Sequence, residues 1–263
     1  MSNSEEAKSS STERAMPLFD HIGELRRRLI VVLAVLVIGL VIGLVFAKPA
    51  YEYLMEQEPV KNFPLHVFSL WDGIGIYMKF AFVIALILVI PVAFYQVWAF
   101  VKPALKENEQ RAALGFVPLA LILFLGGLSF SYFVVLPMAF NFTTEVARTL
   151  KLEETYGITQ YFAFMFNILI PVSLLFELPI VIMFLTKLRI LTPTRLRKMR
   201  RLAYFILIIV GTMITPPDII SDLLVAIPLI VLYEISVFLS GIVYRKQQAA
   251  DEAWEKQFGT ELT

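Results

Sequence analysis

The sequence predicts an all-α polytopic membrane protein: six transmembrane helices, several kinked and together forming a concave groove, with both termini cytoplasmic. Three observations predict it. The 263 residues are 58% hydrophobic and 17% charged, with a mean hydropathy of +0.74; a soluble globule so apolar would have to expose one contiguous apolar patch after another. Six apolar stretches follow one another along the chain, and a helix needs about 20 such residues to cross roughly 30 Å of hydrocarbon. Basic residues gather on one set of connections.

Residues 1–17, Ser-rich at first, read as a mobile cytoplasmic N-terminus, and 18–28 as an amphipathic cytoplasmic helix. A single six-span membrane domain covers 29–244, with spans at about 29–47, 73–100, 113–140, 160–186, 202–214 and 219–244; residues 245–263 form a cytoplasmic tail. The first span follows 28 residues rich in charge, unlike a signal peptide. The fifth is anomalous. Thirteen residues make about 20 Å of helix, closed by Arg200 and Arg201 at one end and by Pro216-Pro217 at the other. Either flanking residues complete it, or it is a deliberately thin wall. Pro91, Pro118, Pro137, Pro171, Pro179 and Pro228 sit inside other spans, where each removes a donor and favours a kink.

Orientation follows from the 23 Lys and Arg. The N-terminus, the loops near 101–112 and 187–201 and the tail hold 18 of them, and the opposite connections hold four, Lys48, Lys61, Arg148 and Lys151; Lys79 remains near a span end. The N- and C-termini are therefore expected inside.

Several chemistries are excluded. A net charge of +1 does not suit a nucleic-acid binder working through bulk charge. The chain has no cysteine and two distant histidines, His21 and His66, so no metal site is expected. There is no His-Glu-x-x-His, no base within a span to activate Ser129, and no glycine-rich phosphate loop. No enzyme and no cofactor are expected.

Two glutamates stand where charge is expensive. Glu177, in the fourth span, and Glu234, in the sixth, each cost about 3 kcal/mol in hydrocarbon. Each either bonds another helix of this chain or meets a polar group on a partner helix or passing substrate. Gln96 and Asn167 raise the same question at lower cost. On the cytoplasmic side, Leu18, Ile22, Leu25 and Leu29 recur on one helical face, and His21, Glu24 and Arg28 on another. Glu24 and Arg28 can pair at i, i+4.

This segment carries a resemblance. His21-Ile22-Gly23-Glu24-Leu25-Arg26-Arg27-Arg28-Leu29 resembles the H-L-x-E-L-R-x-R-L signature of the TatC family, the membrane core of the twin-arginine, Sec-independent protein translocase. Residues 91–100 with Pro103-Ala104-Leu105 are similar to the family's second span and first cytoplasmic loop, where Glu109 matches the loop glutamate. Phe133-Val134-Val135-Leu136-Pro137, Phe176-Glu177-Leu178-Pro179, Thr215-Pro216-Pro217-Asp218, Ala226-Ile227-Pro228 and Tyr233-Glu234 continue the likeness in order, over residues 17–245. Before Lys79 the chain departs from the pattern: Ser69-Leu70-Trp71-Asp72-Gly73-Ile74 replaces the family's proline, glutamate and phenylalanine.

The resemblance implies a receptor for twin-arginine signal peptides of folded cargo. Glu24 and Glu109 would take the arginine forks, Arg28 would orient Glu24, and Gln96 and Phe100 would meet the apolar part of the peptide. Glu177 and Glu234 would face a groove receiving single-span partners of the TatA and TatB type, and Lys79 and Asp218 would act on the outer side. The loops 48–72 and 141–159 would cap the groove. Export would be driven by the proton-motive force, in homo- and hetero-oligomers within the cytoplasmic membrane of a prokaryote. The competing reading is a proton-coupled small-solute transporter using Glu177, which inverted repeats would favour; the sequence shows none.

Overall fold

The structure, a computed structural model, describes residues 3–57, 61, 65–102, 110, 114–152, 155–214 and 219–258; side chains at 3–22, 219–221, 250 and 253–258 lie outside the description. Its first element, α1 (Asn3–Met55), is one helix that joins the amphipathic segment to the first apolar stretch. It packs antiparallel along α2 (Asp72–Val101). Small residues allow this. Gly39 and Gly43 face Ala85 and Ala81, and a Cβ on Gly43 would fall 2.7 Å from the Ala81 Cα, one on Gly39 3.1 Å from Ala85. In lipid, such close backbone approach substitutes packing for a hydrophobic drive that the solvent does not supply.

Ser69 and Asp72 set the start of α2. The Asp72 carboxylate accepts the Phe68 and Ser69 N–H groups at 3.0 and 2.9 Å, and Ser69 Oγ accepts from Trp71 N at 3.3 Å. This Ser-x-x-Asp box satisfies backbone donors of the turn that leads into the helix. Just before it, β1 (Leu65–His66) pairs in parallel with β2 (Tyr156–Gly157), tying together the two connections expected to form a cap.

The third apolar run is continuous from Phe116 to Thr149 but has three parts: α3 (Phe116–Phe130), a π-turn (Ser131–Val135) and α4 (Leu136–Thr149). Pro137 follows directly, and a proline crowds the carbonyl four residues before it. Widening the preceding turn to i→i+5 relieves that crowding. The fourth run also has two parts, α5 (Ile158–Leu175) and α6 (Leu178–Lys187), separated by a turn at Phe176 and Glu177 with Pro179 in the first turn of α6. Next come α7 (Pro193–Lys198), α8 (Arg200–Ile214) and α9 (Ile219–Phe258). Thr192 caps α7 by accepting the Arg195 N–H at 3.3 Å.

α5 is central. Phe162, Met165, Ile168 and Val172 are buried in it against Phe80 of α2, Val135 of the π-turn and Val225 and Leu229 of α9. Phe80 meets Phe162 and Phe166 edge-on, and Phe162 and Phe166 stack, with centroids 5.1 to 6.3 Å apart. α1 by contrast exposes Val37, Val41 and Val45, as a helix facing lipid would.

Five helical segments are long and apolar enough to cross a membrane: Gly23–Met55, Asp72–Val101, Phe116–Thr149, Ile158–Lys187 and Asp222–Ala249. The expected fifth span corresponds to α8, which at 15 residues is too short to join that set. The last helix outruns its expected end at 244. Gln247 donates to the Lys187 carbonyl at 2.8 Å, and Asp251 pairs with Arg189 at 2.6 Å, docking the extension on the end of α6.

Candidate functional site

Each step along α1 is matched by an equal step backward along α2: Gly43 faces Ala81, Gly39 faces Ala85, and eleven residues further Arg28 reaches Gln96. The register therefore brings the amphipathic end of α1 to the last turns of α2. Glu24 and Arg28 are an ion pair, with Arg28 Nε donating to Glu24 Oε1 at 3.1 Å and Nη2 to the same oxygen. Arg28 Nη1 points to Gln96 Oε1 at 3.5 Å, the long limit of a hydrogen bond. The side chains of Arg28 and Glu24 are 22% and 35% exposed, so the pair remains reachable.

Two cavities meet here. One, about 280 Å³, is polar and lined by Glu24, Arg27, Arg28, Val31 and Gln96. The other, about 330 Å³, is mostly apolar, with Leu25, Leu29, Val32, Ala93, Val97 and Phe100 joined by Arg28 and Gln96. Arg28 and Gln96 form the wall between them. Of the two helical faces seen in the sequence, Leu25 and Leu29 line the apolar cavity and Glu24 the polar one, with Arg28 shared by both. A carboxylate beside an apolar trough can hold a cationic group that is followed by a hydrophobic segment.

Four of the five expected residues at this face, Glu24, Arg28, Gln96 and Phe100, come together. The fifth, Glu109, lies outside the described residues, as do Asp218 and the rest of Thr215-Pro216-Pro217-Asp218. Next to Glu109 in sequence, the Gln110 carbonyl accepts the Trp98 indole N–H at 3.0 Å, and its side chain donates to the Lys102 carbonyl at 3.2 Å. Lys102 stands over the Trp98 ring, 5.5 Å from its centroid.

The remaining residues sit elsewhere. Glu177 is 4% exposed in the turn between α5 and α6, and neither carboxylate oxygen has a hydrogen-bond partner among the described residues. Glu234 finds its partners within the chain: Arg200 Nη2 at 2.6 Å and the Tyr204 hydroxyl at 2.5 Å. Of the two origins left open for a buried glutamate, Glu234 fits the intrachain one and Glu177 does not. Lys79 is half-buried on α2 and lines neither cavity. Sequence reasoning passed over Arg200 and Tyr204, an i, i+4 pair at the head of α8 whose facing carboxylate lies 30 or more residues away. It also passed over the Ser69–Asp72 box and the Gly39-x-x-x-Gly43 spacing, both of which were available as local signals.

The family model described as Sec-independent protein translocase protein (TatC) matches residues 20–228. The chain is 46% identical over 249 residues to a Sec-independent protein translocase protein TatC of Halalkalibacterium halodurans, covering 95% of this chain and 98% of that one. It is 42% identical to TatCy of Bacillus subtilis, covering 90% and 94%. A crystal structure of a twin-arginine translocase receptor, TatC, superposes with a TM-score of 0.71 at 33% identity, covering 85% of this chain and 99% of that one.

Proposed function

The chain belongs to the TatC family, and from that premise we propose that it receives Arg-Arg signal peptides of folded proteins at the Glu24 face and recruits single-span partner subunits for their export. The observation that carries this is the polar cavity abutting an apolar trough across the Arg28–Gln96 wall. An incoming guanidinium displaces Arg28 from Glu24, and Gln96 offers Arg28 an acceptor. The exchange replaces one half-exposed Arg–carboxylate pair by another, each worth at most about 1 kcal/mol, so it contributes selectivity more than affinity. Affinity comes from Glu109 as a second carboxylate and from the apolar segment of the peptide lying along Leu25, Leu29, Val97 and Phe100.

In this reading the chain has six spans, α8 being the fifth, and both termini lie in the cytoplasm of a prokaryotic cell. Eighteen of its 23 Lys and Arg support that orientation. At about 1.5 Å per residue, α8 makes roughly 22 Å of helix, against roughly 30 Å of hydrocarbon. It therefore thins the bilayer where cargo passes, in a process driven by the proton-motive force. Glu177, buried without a partner of its own among the described residues, takes a polar group from a partner helix of the TatA or TatB type.

The test is site-specific crosslinking from positions beside Glu24 and Glu109 to an Arg-Arg signal peptide, with a Lys-Lys peptide and the double Glu→Ala protein as controls. Crosslinks that require both the arginines and the glutamates are expected. Equal crosslinking to both peptides, indifferent to the glutamates, reduces this face to a basic membrane anchor and moves the transporter reading to first place.

A further inference from the structure

We propose that residues 67–71, at the entry to α2, are a membrane-interface anchor whose side chains insert into the boundary between lipid headgroups and acyl chains. Leu70 is 99% exposed and Trp71 75%, with Val67 and Phe68 exposed beside them. In water, four large apolar side chains projecting from one turn would be a liability.

Their depth follows from the helices they adjoin. Leu70 borders an open cavity of about 380 Å³ lined also by Gly73, Ile74, Tyr77 and Met78 and by Leu44 of α1. Leu44 lies inside the charge-free stretch 29–47, and Lys48 and Glu52, paired at 3.7 Å, mark where α1 leaves it. In the register that sets Gly43 against Ala81, Lys48 stands level with Ile76, so the head of α2 at Asp72 lies four residues, about 6 Å, outside the hydrocarbon edge, within the headgroup layer. Aromatic side chains such as Trp71 concentrate at that level.

Non-helical backbone enters so apolar a zone only if its polar groups are satisfied. Here the N–H groups of Phe68, Ser69, Trp71 and Asp72 are. Asp72, itself buried, takes the Phe68 and Ser69 N–H groups; Ser69 Oγ takes that of Trp71; Asp72 N donates to Ser69 O and Gly75 N to Trp71 O. No charge occurs from 67 to 71, and the Asp72 charge is spent on the backbone. The mount is firm. β1 pairs with β2, and Gly157 lies so close beneath Phe68 that a Cβ there would fall 2.7 Å from the ring. The surface is a projecting turn and not a groove, which suits a fluid lipid boundary better than a second protein. The inference holds for either orientation of the chain in the membrane.

The absence of cysteine makes a single Leu70→Cys substitution a unique site for a nitroxide, and its full exposure leaves the packing untouched. The full chain is reconstituted in vesicles of phosphatidylethanolamine and phosphatidylglycerol. Collision with molecular oxygen is compared with collision with a water-soluble nickel chelate. Val45→Cys on the lipid face of α1 and Glu252→Cys on the exposed extension of α9 calibrate the scale, and Val67→Cys repeats the measurement in the same turn. Oxygen is expected to dominate at Leu70 and Val67. Nickel dominating, as at Glu252, overturns the proposal. Exclusion of both reagents with dipolar broadening also overturns it, because the turn then packs against a second copy.

Discussion

Replacing Gly43 by alanine tests the α1–α2 seam that positions the Glu24 face. The added Cβ would stand 2.7 Å from the Ala81 Cα and 2.9 Å from its carbonyl carbon. Carbon atoms at rest prefer about 3.5 to 4.0 Å, so the helices must part by roughly 1 Å. The obstacle is backbone, which cannot rotate away as a side chain could. Overpacking of this kind costs about 1–3 kcal/mol. Alanine returns up to about 1 kcal/mol through its better helix propensity. Gly126→Ala in α3 isolates that second contribution, since nothing lies within 4 Å of its Cβ position. Gly43→Ala should therefore unfold about 1–3 kcal/mol more easily than Gly126→Ala, with Gly39→Ala between them at a 3.1 Å approach. Thermal melts of the purified protein in detergent, followed by circular dichroism, give the ranking. The seam also sets the Arg28–Gln96 contact, so signal peptide binding should weaken in Gly43→Ala and hold in Gly126→Ala. If Gly43→Ala is as stable as Gly126→Ala, the close approach of α1 and α2 is not what holds this face.

Two further changes separate the intramembrane glutamates. Arg200→Met should destabilise the chain by leaving the Glu234 carboxylate with Tyr204 alone, and adding Glu234→Gln should recover part of the loss. A double-mutant cycle with a coupling of about 1 kcal/mol is expected, within the range for residues in direct contact; strict additivity would show that the 2.6 Å pair has no energetic weight. Glu177→Gln, nearly isosteric, should leave stability and signal peptide binding unchanged while reducing cargo export measured in inverted vesicles. Loss of peptide binding on that change would place Glu177 at the receptor face.

What the sequence revealed and what it concealed divide along the range of the interaction. The two faces of residues 18–29 were legible because they repeat within a few turns; of their described members, Leu25 and Leu29 line the apolar cavity, Glu24 the polar one and Arg28 both. Five of the six expected apolar stretches overlap helices long and apolar enough to cross a membrane, because hydrocarbon imposes a length. Glu234 looked bare because its partner Arg200 lies 34 residues away, in a basic run already explained by topology. The Gly39-x-x-x-Gly43 spacing was a local signal of a packed helix face, but which helix it packs against, Ala81 and Ala85 of α2, is set by contacts about 40 residues away. The π-turn before Pro137 and the two-residue strands leave no periodicity to detect. Proline was read as a source of kinks, and beside Pro137 and Pro179 the chain widens or breaks its helix locally, a form of irregularity the sequence does not specify.

α9 also serves as a ruler for its neighbours. The Thr186 hydroxyl of α6 meets Ser240 at 2.7 Å, while Arg200 and Tyr204 of α8 meet Glu234, six residues earlier. At about 1.5 Å per residue, the charged head of α8 lies roughly 9 Å deeper than the end of α6. With α8 as the fifth span, as proposed above, Arg200 and Arg201 would draw water or headgroups to that depth and leave the insulating layer beside α8 thinner. A membrane voltage falls across insulator. Each elementary charge would still gain about 2.3 kcal/mol per 100 mV in crossing, but there over a shorter path and in a correspondingly steeper field.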